Sequence, residues 1–268
     1  MTGAIAQEAD AMRFTNRVAI VTGAGGGIGK VTAQLLAAQG AVVAVNDLNE
    51  AAAQASVDDI RSSGGQAFVL QGDAADEDFA IEAVAEVMRS QGRIDILVNN
   101  AGVSVVAPAE DFVAWDRVLR TNLYSQFFWS KAVAKAAMIP AARGAIVNVA
   151  SIAGLAAVPN QIGYVVSKHG VVGLTRSLAV EWGRHGIRVN CVCPGITATD
   201  LTTGPSGMDA DRLSARIARV PLGRMGTARE QAEAIAFLVS DEASYLSGLI
   251  LNNDGGQLAL HSGVMMSA

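Results

Sequence analysis

Tyr164 and Lys168 form the pair of side chains that most directly suggests chemistry in this sequence. They stand four residues apart, and residues at i and i+4 lie one turn apart on the same face of a helix. A phenol with a pKa of about 10 is a weak base at neutral pH, whereas a neighbouring ammonium group stabilises the phenolate by Coulomb attraction. We therefore expect a helix from about Gln161 to Arg184 on which Lys168 lowers the pKa of Tyr164.

Two further polar side chains are placed where they can join this pair. Ser151 directly follows a predicted strand that ends at Ala150, and its hydroxyl can hold a substrate oxygen beside the Tyr164 helix. Asn122 falls inside a helical segment from about Ala109 to Ala137, where an amide gains no packing benefit and often interrupts helical regularity. A Tyr-x-x-x-Lys pair is common on helix surfaces, so the remaining motifs decide whether it is catalytic.

A glycine-rich turn separates the first predicted strand from the first predicted helix. At such a turn the backbone approaches a pyrophosphate, and a side chain at Gly23, Gly27 or Gly29 would obstruct that approach. Asp47 ends the second predicted strand 18 residues after Gly29, near the interval at which an acidic residue accepts the adenosine ribose hydroxyls. A carboxylate there repels a 2′-phosphate, and Gly26 adds no positive charge. The turn therefore predicts NAD in preference to NADP.

These groups need a sheet whose strands all end at one edge. The apolar runs are nearly continuous, which is typical of strands covered on both faces, and each gap between them is long enough for a crossover helix. We therefore predict an α/β fold in one domain over residues 1–268, a Rossmann-type doubly wound parallel sheet of about seven strands with helices on both faces. The predicted strands are Arg17–Thr22, Ala41–Asp47, Gln66–Gln71, Ile94–Asn99, Gly144–Ala150, Ile187–Cys193 and Leu249–Asn252.

Two segments lie outside this alternation. Residues 1–12 have no basic start and no continuous apolar stretch, so we expect a flexible N-terminal tail and no secretory signal. Residues 202–224 contain a Gly-Pro-Ser-Gly break and a short amphipathic helix, so we expect a substrate lid at the carboxyl edge of the sheet. Its arginines, Arg212, Arg216 and Arg219, are expected on a solvated face, and contact with an acidic substrate or another subunit is the alternative.

The composition argues against several partners. The chain has 268 residues and a net charge of −5, without a Lys/Arg cluster dense enough to follow a phosphate backbone, so we expect no nucleic acid. Its apolar stretches are shorter than the roughly 18 residues that a membrane-spanning helix needs, so we expect no membrane span. The three histidines are scattered, and no cysteine pair has metal-ligand spacing. We expect no metal, and Cys191 and Cys193 as buried thiols of a cytoplasmic protein.

Taken together, these motifs resemble the short-chain dehydrogenase/reductase family of the classical type, over about Arg17 to Gly256. The resemblance implies that Asn122, Ser151, Tyr164 and Lys168 form a catalytic tetrad. Tyr164 is then the acid/base, Ser151 orients the substrate oxygen, Lys168 also fixes the ribose, and Asn122 supports a water relay from Lys168.

The same resemblance assigns the cofactor contacts and an assembly state. Asp73 matches the family's aspartate at the adenine amino group, and the segment from Asn99 to Gly102 matches the one that lines the adenosine ribose. In the nicotinamide-binding segment Thr197 stands where relatives usually carry Ile or Val, which leaves open which of the two threonines there contacts the cofactor. A homotetramer is also implied. The expected NAD-binding residues are Gly23, Gly27, Ile28, Gly29, Asp47, Leu48, Asp73, Ala74, Asn100, Ala101, Gly102, Tyr164, Lys168, Pro194, Gly195, Thr197 and Thr199.

The sequence thus predicts an NAD-dependent enzyme that interconverts a secondary alcohol and a ketone, with Tyr164 taking the hydroxyl proton while hydride passes to the nicotinamide. Apart from the lid arginines, the expected pocket residues are small, apolar or hydroxyl-bearing, which favours an uncharged alicyclic, aromatic or steroid-like substrate. Two alternatives remain open. One is a 3-oxoacyl thioester reductase of the acyl-carrier-protein type, which usually employs NADPH, and the other is a non-catalytic protein that senses the NAD/NADH ratio.

Overall fold

A seven-stranded parallel sheet forms the centre of the computed structural model, which describes residues 12–199, 202 and 209–260. The strand order is β3-β2-β1-β4-β5-β6-β9, and every neighbouring pair is parallel. This confirms the predicted doubly wound sheet. The strands are β1 (Val18–Thr22), β2 (Val42–Asp47), β3 (Gln66–Gln71), β4 (Ile96–Asn99), β5 (Gly144–Val149), β6 (Ile187–Pro194) and β9 (Ile250–Asn253).

Helices connect these strands and cover both faces of the sheet. None of the described helices is long and apolar enough to cross a lipid bilayer. The helices are α1 (Gly27–Ala38), α2 (Glu50–Ser62), α3 (Glu77–Gln91), α4 (Trp115–Leu119), α5 (Ser125–Val133), α6 (Ile139–Ala141), α7 (Ile162–Trp182), α8 (Ala210–Ile217) and α9 (Ala228–Val239).

The two faces of the sheet bury two separate apolar clusters. On β1, Ala19 and Val21 pack into one cluster with α1, α2 and α9, whereas Val18 and Ile20 pack into the other with α3, α5 and α7. Successive side chains of a strand point to opposite faces, so a strand covered on both sides must be apolar at every position. All five residues of β1 are accordingly buried.

The strand order reverses direction beside β1. The chain runs outward from β1 through β2 to β3 and then returns to place β4 on the other side of β1. In open parallel sheets, the carboxyl ends of the strands on either side of such a reversal enclose a crevice. The glycine turn after β1 and the Asn99–Gly102 segment after β4 therefore face each other across one edge.

The helical segment before β5 differs from its prediction. The expected helix from Ala109 to Ala137 begins at Trp115, because residues Ala109–Asp111 form a separate 3₁₀ turn. Phe112 follows that turn, and a Cβ atom on Gly163 of α7 would lie only 2.7 Å from its ring. Packing of this ring on α7, which local propensity does not encode, accounts for the later start.

Two π turns interrupt the same segment. Residues Arg120–Tyr124 connect α4 to α5, and residues Ala134–Met138 connect α5 to α6. A π turn is rare and often lies at a functional site. Asn122 lies inside the first of them and is fully buried.

A second, two-stranded sheet was not predicted. In it β7 (Thr197–Ala198) pairs in parallel with β8 (Gly226–Thr227). In the sequence, the predicted lid at residues 202–224 lies between β7 and β8, and its described part contains α8. Most of the predicted N-terminal tail, residues 1–11, lies outside the described residues, as do residues 200–201 and 203–208 of the segment after β7.

Candidate active site

A cleft of about 370 Å³ opens at the carboxyl edge of the sheet. Its size falls in the range typical of small-molecule sites. Most of the predicted catalytic and cofactor residues meet on its walls. The lining residues are Gly23, Gly26, Gly27, Ile28, Asp47, Asn100, Ala101, Gly102, Val149, Ala150, Ser151, Tyr164, Lys168, Pro194, Gly195, Thr197, Thr199 and Thr202.

The glycine turn is packed so closely that side chains are excluded at two positions. Gly23 has a φ of 62°, and a Cβ atom there would lie 2.8 Å from the Cα atom of Ala101. A Cβ atom on Gly29 would overlap the carbonyl oxygen of Gly23 and the amide of Asn100. That amide donates hydrogen bonds of 3.0 Å to the carbonyl oxygens of Thr22 and Gly23. The end of β4 thus fixes the shape of the turn.

The start of α1 is suited to a diphosphate. Its N-cap, Gly26, supplies no side-chain hydrogen bond to the first helical amides, and a Cβ atom at Gly26 would meet nothing within 4 Å. Uncapped amides at a helix N-terminus are hydrogen-bond donors with a favourable dipole for an anion. The glycine cradle and this helix end therefore fit a dinucleotide that lies across the cleft.

Asp47 stands at the end of β2 on the wall of the same cleft. Its Oδ2 atom accepts a 2.9 Å hydrogen bond from the backbone amide of Gly25, and its Oδ1 atom accepts one of 2.9 Å from Asn49. A carboxylate has about four lone-pair sites, so acceptor capacity is left for ribose hydroxyls. The two backbone donors hold the carboxylate in a fixed orientation.

Some predicted contacts lie away from the cleft lining. Leu48 is 66% exposed beside Asp47. Asp73 is exposed and its Oδ1 atom accepts from the amide of Ala75, while Ala74 is buried and its carbonyl accepts from Trp129. Their roles at the adenine remain predictions.

Tyr164, Lys168 and Ser151 meet at the opposite end of the cleft. The Nζ atom of Lys168 lies 5.6 Å from the centre of the Tyr164 ring and donates a 2.8 Å hydrogen bond to the carbonyl oxygen of Val149. Ser151 follows β5, and its Oγ atom accepts from the amide of Ala153 at 3.1 Å. The predicted i, i+4 pair on α7 therefore does face the groove, next to the end of β5.

The electrostatics of this group differ from the expectation. Burial raises the pKa of Tyr164, and the Ser151 hydroxyl and the charge of Arg216 oppose that rise. Burial lowers the pKa of Lys168 to about 8. The nearby thiols of Cys191 and Cys193 raise this pKa and so offset part of the effect of burial. Loss of hydration is therefore the largest effect on the Tyr164 pKa in the protein without a cofactor. The prediction that the pKa of Tyr164 is lowered is wrong for this state.

Asn122 acts as a clamp between three elements. Its Oδ1 atom accepts from the amide of Val103 at 2.8 Å, and its Nδ2 atom donates to the Val103 carbonyl at 2.9 Å and to the Ser167 hydroxyl at 3.0 Å. Ser167 in turn donates to the carbonyl of Tyr164 at 2.7 Å. A Cβ atom on Gly102 would lie 3.3 Å from the Asn122 oxygen and 3.5 Å from the Lys168 nitrogen. The Asn122 amide therefore lies close to Lys168, and the water relay stays a prediction.

Other groups at the site were missed by sequence reasoning. The Val149 carbonyl accepts from Lys168 and, at 3.3 Å, from the fully buried Gln126. Val103 and Ser167 were also missed. A backbone carbonyl cannot be recognised from the type of its side chain. A polar residue such as Gln126 on an otherwise apolar helix face can be recognised in the sequence.

The segment that is predicted to bind the nicotinamide follows β6 on the wall of the cleft, and its role stays a prediction. Pro194 ends β6, and Gly195, Thr197 and Thr199 line the cleft. The Thr197 hydroxyl donates to the carbonyl of Gly195 at 3.1 Å. Which threonine contacts the cofactor stays open. The two thiols at the end of β6 are buried and free, as predicted.

The three arginines of the predicted lid do not share one environment. Arg212 and Arg219 are exposed, as predicted, but Arg216 is half-buried. Its positive charge acts on the Tyr164 phenol, so the expectation of a solvated face is wrong for this residue.

Known proteins provide an independent comparison. A model of the family described as Enoyl-(Acyl carrier protein) reductase matches residues 23–257. The chain is 42% identical over 239 residues to a cyclohexanol dehydrogenase of Acinetobacter sp. (strain SE19), covering 88% of this chain and 92% of that protein. It is 42% identical over 254 residues to a cis-4-hydroxycyclohexanecarboxylate dehydrogenase of Sinomonas cyclohexanicum, covering 92% and 98%.

Two further similarities bear on the alternatives. A 3-oxoacyl-[acyl-carrier-protein] reductase of Escherichia coli (strain K12) is 39% identical over 249 residues, covering 91% of this chain and 98% of that protein. A gluconate 5-dehydrogenase from Burkholderia cenocepacia J2315, solved in complex with NADP and tartrate, superimposes with a TM-score of 0.88 at 34% identity, covering 94% and 99%. The protein is an oxidoreductase of a family that uses a nicotinamide cofactor. With the fold, the cleft and these relatives in agreement, the chain belongs to the classical short-chain dehydrogenase/reductase family.

Proposed function

We propose that this protein oxidises a secondary alcohol on a ring skeleton to the ketone, reversibly, with NAD as the hydride acceptor. One observation carries the proposal: the Tyr164 phenol, with Ser151 and Lys168, lies on the wall of the cleft that also contains the glycine turn. The curated relatives named for cyclohexanol and for cis-4-hydroxycyclohexanecarboxylate support a ring alcohol.

The residues divide the work at the reacting carbon. Ser151 donates to or accepts from the substrate oxygen, and Tyr164 accepts its hydroxyl proton as the alcohol becomes a carbonyl. Lys168 stabilises the phenolate form of Tyr164 that accepts this proton, and Asn122 holds Val103 and α7 in place around it. The bound nicotinamide supplies the hydride-accepting chemistry. In the complex its positive charge adds to that of Lys168, which favours the phenolate against the effect of burial.

Asp47 and Gly26 support NAD as the cofactor. The Asp47 carboxylate is oriented into the cleft by two backbone amides, where it would repel a 2′-phosphate. Gly26, which has open space around it, offers no compensating charge. The NADP complex of the gluconate 5-dehydrogenase is the reason to measure both cofactors.

The test compares kcat/KM for NAD and NADP at saturating cyclohexanol. We expect at least about a tenfold preference for NAD, which corresponds to about 1.4 kcal/mol, and Asp47→Ala should reduce it. Tyr164→Phe should retain NADH binding but lose turnover. A preference for NADP in the unmodified protein contradicts the cofactor assignment, and turnover by Tyr164→Phe contradicts the acid/base assignment.

Reduction of a 3-oxoacyl thioester is the second candidate, which the Escherichia coli relative favours. It predicts faster reduction of an acetoacetyl thioester with NADPH than oxidation of cyclohexanol with NAD, whereas Asp47 favours the reverse. The sensor alternative would be supported if NADH bound and no alcohol or ketone gave turnover.

We also propose that the protein is cytoplasmic and assembles as a homotetramer. Large apolar side chains lie on the surface, including Val113 in the loop before α4 at 96% exposed and Val180 on α7 at 83% exposed. Such exposed residues favour association. Light scattering after gel filtration measures the mass directly, and a monomer at micromolar concentration would contradict the assembly.

A further inference from the structure

Gln126 is a buried glutamine close to the catalytic end of the cleft. It lies on α5 and is 1% exposed. Trp129, Ser130 and Val133, at i+3, i+4 and i+7, are buried on the same side of the helix. Trp129 and Val133 belong to the apolar cluster on one face of the sheet. A polar side chain in such a position loses its hydration, so its hydrogen bonds indicate what it does there.

The amide nitrogen of Gln126 shares an acceptor with Lys168. Its Nε2 atom donates a 3.3 Å hydrogen bond to the carbonyl oxygen of Val149, and the Nζ atom of Lys168 donates one of 2.8 Å to the same oxygen. A carbonyl oxygen has two lone pairs and can accept both. The amide of Ala150, in the same peptide group, donates to the Val192 carbonyl at 2.8 Å. The peptide group at the end of β5 is therefore held on both sides, and two donors meet at its oxygen.

The amide oxygen of Gln126 makes no comparable contact. It is buried and has no hydrogen-bond partner among the described residues. The Ser130 hydroxyl, one turn along the same helix face, accepts from Asn99. An unpaired buried acceptor lowers the stability of a fold, and a methionine or leucine would fill a similar volume without that cost. Packing of α5 against the sheet therefore does not account for an amide at this position.

The surroundings of Lys168 contain few other titratable groups. The thiols of Cys191 and Cys193 on β6 act on its pKa, and the centre of the Tyr164 ring lies 5.6 Å from its nitrogen. Strand β5 has no charged residue, and Lys131, the charged residue of α5, forms an ion pair with an acidic residue of α3. The charged residues of α4 and of the π turn after it are exposed. What α5 presents to the acceptor of Lys168 is thus a neutral amide donor.

We propose that Gln126 is a positioning residue for proton transfer, because it shares the Val149 carbonyl with Lys168 and so weakens the hydrogen bond that the ammonium group makes to the protein. The ammonium group is then available to the Tyr164 phenol and to the cofactor. This inference rests on the proposed function and assigns no contact between Gln126 and the substrate. The amide N–H also places a partial positive charge beside the ammonium group, which disfavours the charged form of Lys168.

The test replaces Gln126 by Met, which has a similar length and no amide. Without the second donor, the Val149 carbonyl stabilises the ammonium group more strongly, so we expect the pKa of Lys168 to rise by about one unit. In urea denaturation, the increase of the unfolding free energy with pH should then begin at about pH 9 instead of about pH 8. With saturating NAD, the fall of kcat/KM for cyclohexanol at high pH should shift upward by about one unit as well.

The matched control is Ser130→Ala. Ser130 is buried on the same face of α5 and its hydroxyl accepts from Asn99, so this variant should keep both pH dependences of the unmodified protein. Gln126→Leu is a second apolar variant, and we expect both apolar variants to fold because each removes an unpaired buried oxygen.

Three results would overturn the inference. The first is a pH dependence of Gln126→Met that is unchanged or shifted downward, and the second is an equal upward shift in Ser130→Ala, which would indicate a general change in burial. The third is failure of both apolar variants to fold, because the fold itself would then require the amide. If no alcohol is oxidised with NAD, the proposed function fails, whereas the pH dependence of unfolding still decides the inference.

Discussion

Replacement of Lys168 by Met should change how the stability of the protein depends on pH. Lys168 is 3% exposed, and burial lowers its pKa from 10.5 to about 8. Between these two values the unfolded chain binds more protons than the folded chain, so the free energy of unfolding rises with pH in that window. Below about pH 8 both states are protonated, so the free energy of unfolding no longer changes with pH through this group and the full cost of burying the ammonium is present.

The expected size follows from the two pKa values. With 10.5 in the unfolded chain and about 8 in the folded chain, the linkage relation gives a gain of about 2 kcal/mol between about pH 7 and about pH 9.5. The measurement stops there because burial raises the pKa of Tyr164, and that group favours the folded state less once unfolded tyrosine ionises near about pH 10.

Urea denaturation of the unmodified protein and of Lys168→Met at several pH values measures this difference. The variant also loses the hydrogen bond to Val149, but that loss adds a constant offset, whereas the prediction concerns the slope. Lys135→Met, which replaces an exposed lysine, is the matched control and should retain the unmodified slope. Parallel pH dependences for the unmodified protein and Lys168→Met would show that burial does not lower the pKa of Lys168.

Three other substitutions test the cradle, the sheet and a helix cap. Gly29→Ala should abolish detectable NADH binding in a fluorescence titration, because its Cβ atom overlaps backbone, whereas Gly26→Ala, in open space, should bind NADH normally. Asp95→Asn should lower the free energy of unfolding in urea by about 2 kcal/mol, because it removes a carboxylate that is 7% exposed and accepts charge-assisted hydrogen bonds from Arg93 and one from the Val18 amide, and the exposed Asp116→Asn should change it by less than about 0.5 kcal/mol. Thr227→Ala should cost about 1 kcal/mol in the same assay, because it removes the capping box of α9, and an unchanged midpoint would argue against that cap.

The strands were predictable because their signal is local. Each of the seven strands is a short apolar run, and every predicted boundary lies within two residues of the observed one. The glycine turn and the pair on α7 were predictable for a related reason. Close backbone approach restricts Gly23 and Gly29 to glycine, and helical spacing alone puts Tyr164 and Lys168 on one face.

The features that the sequence did not predict have a different origin. The start of α4 depends on Phe112 packing against α7, and the short β7–β8 pair has only two residues in each strand. The half-buried position of Arg216 depends on where α8 packs. The electrostatic balance at Tyr164 depends on how much water the folded chain removes. Each is decided by contacts between distant parts of the chain, which composition and periodicity do not contain.

Because Asn122 lies in the π turn at Arg120–Tyr124, its hydrogen bonds to Val103 and Ser167 depend on the number of residues in that turn. A π turn spans one more residue per hydrogen-bonded loop than an α turn, so deletion of a single residue there would regularise the helix while α5 keeps its phase. Loss of one codon could then remove the amide from Val103, whereas exchange of neighbouring side chains one at a time would leave it in place. Divergence within such enzymes can therefore proceed through insertions and deletions that a substitution scan never samples.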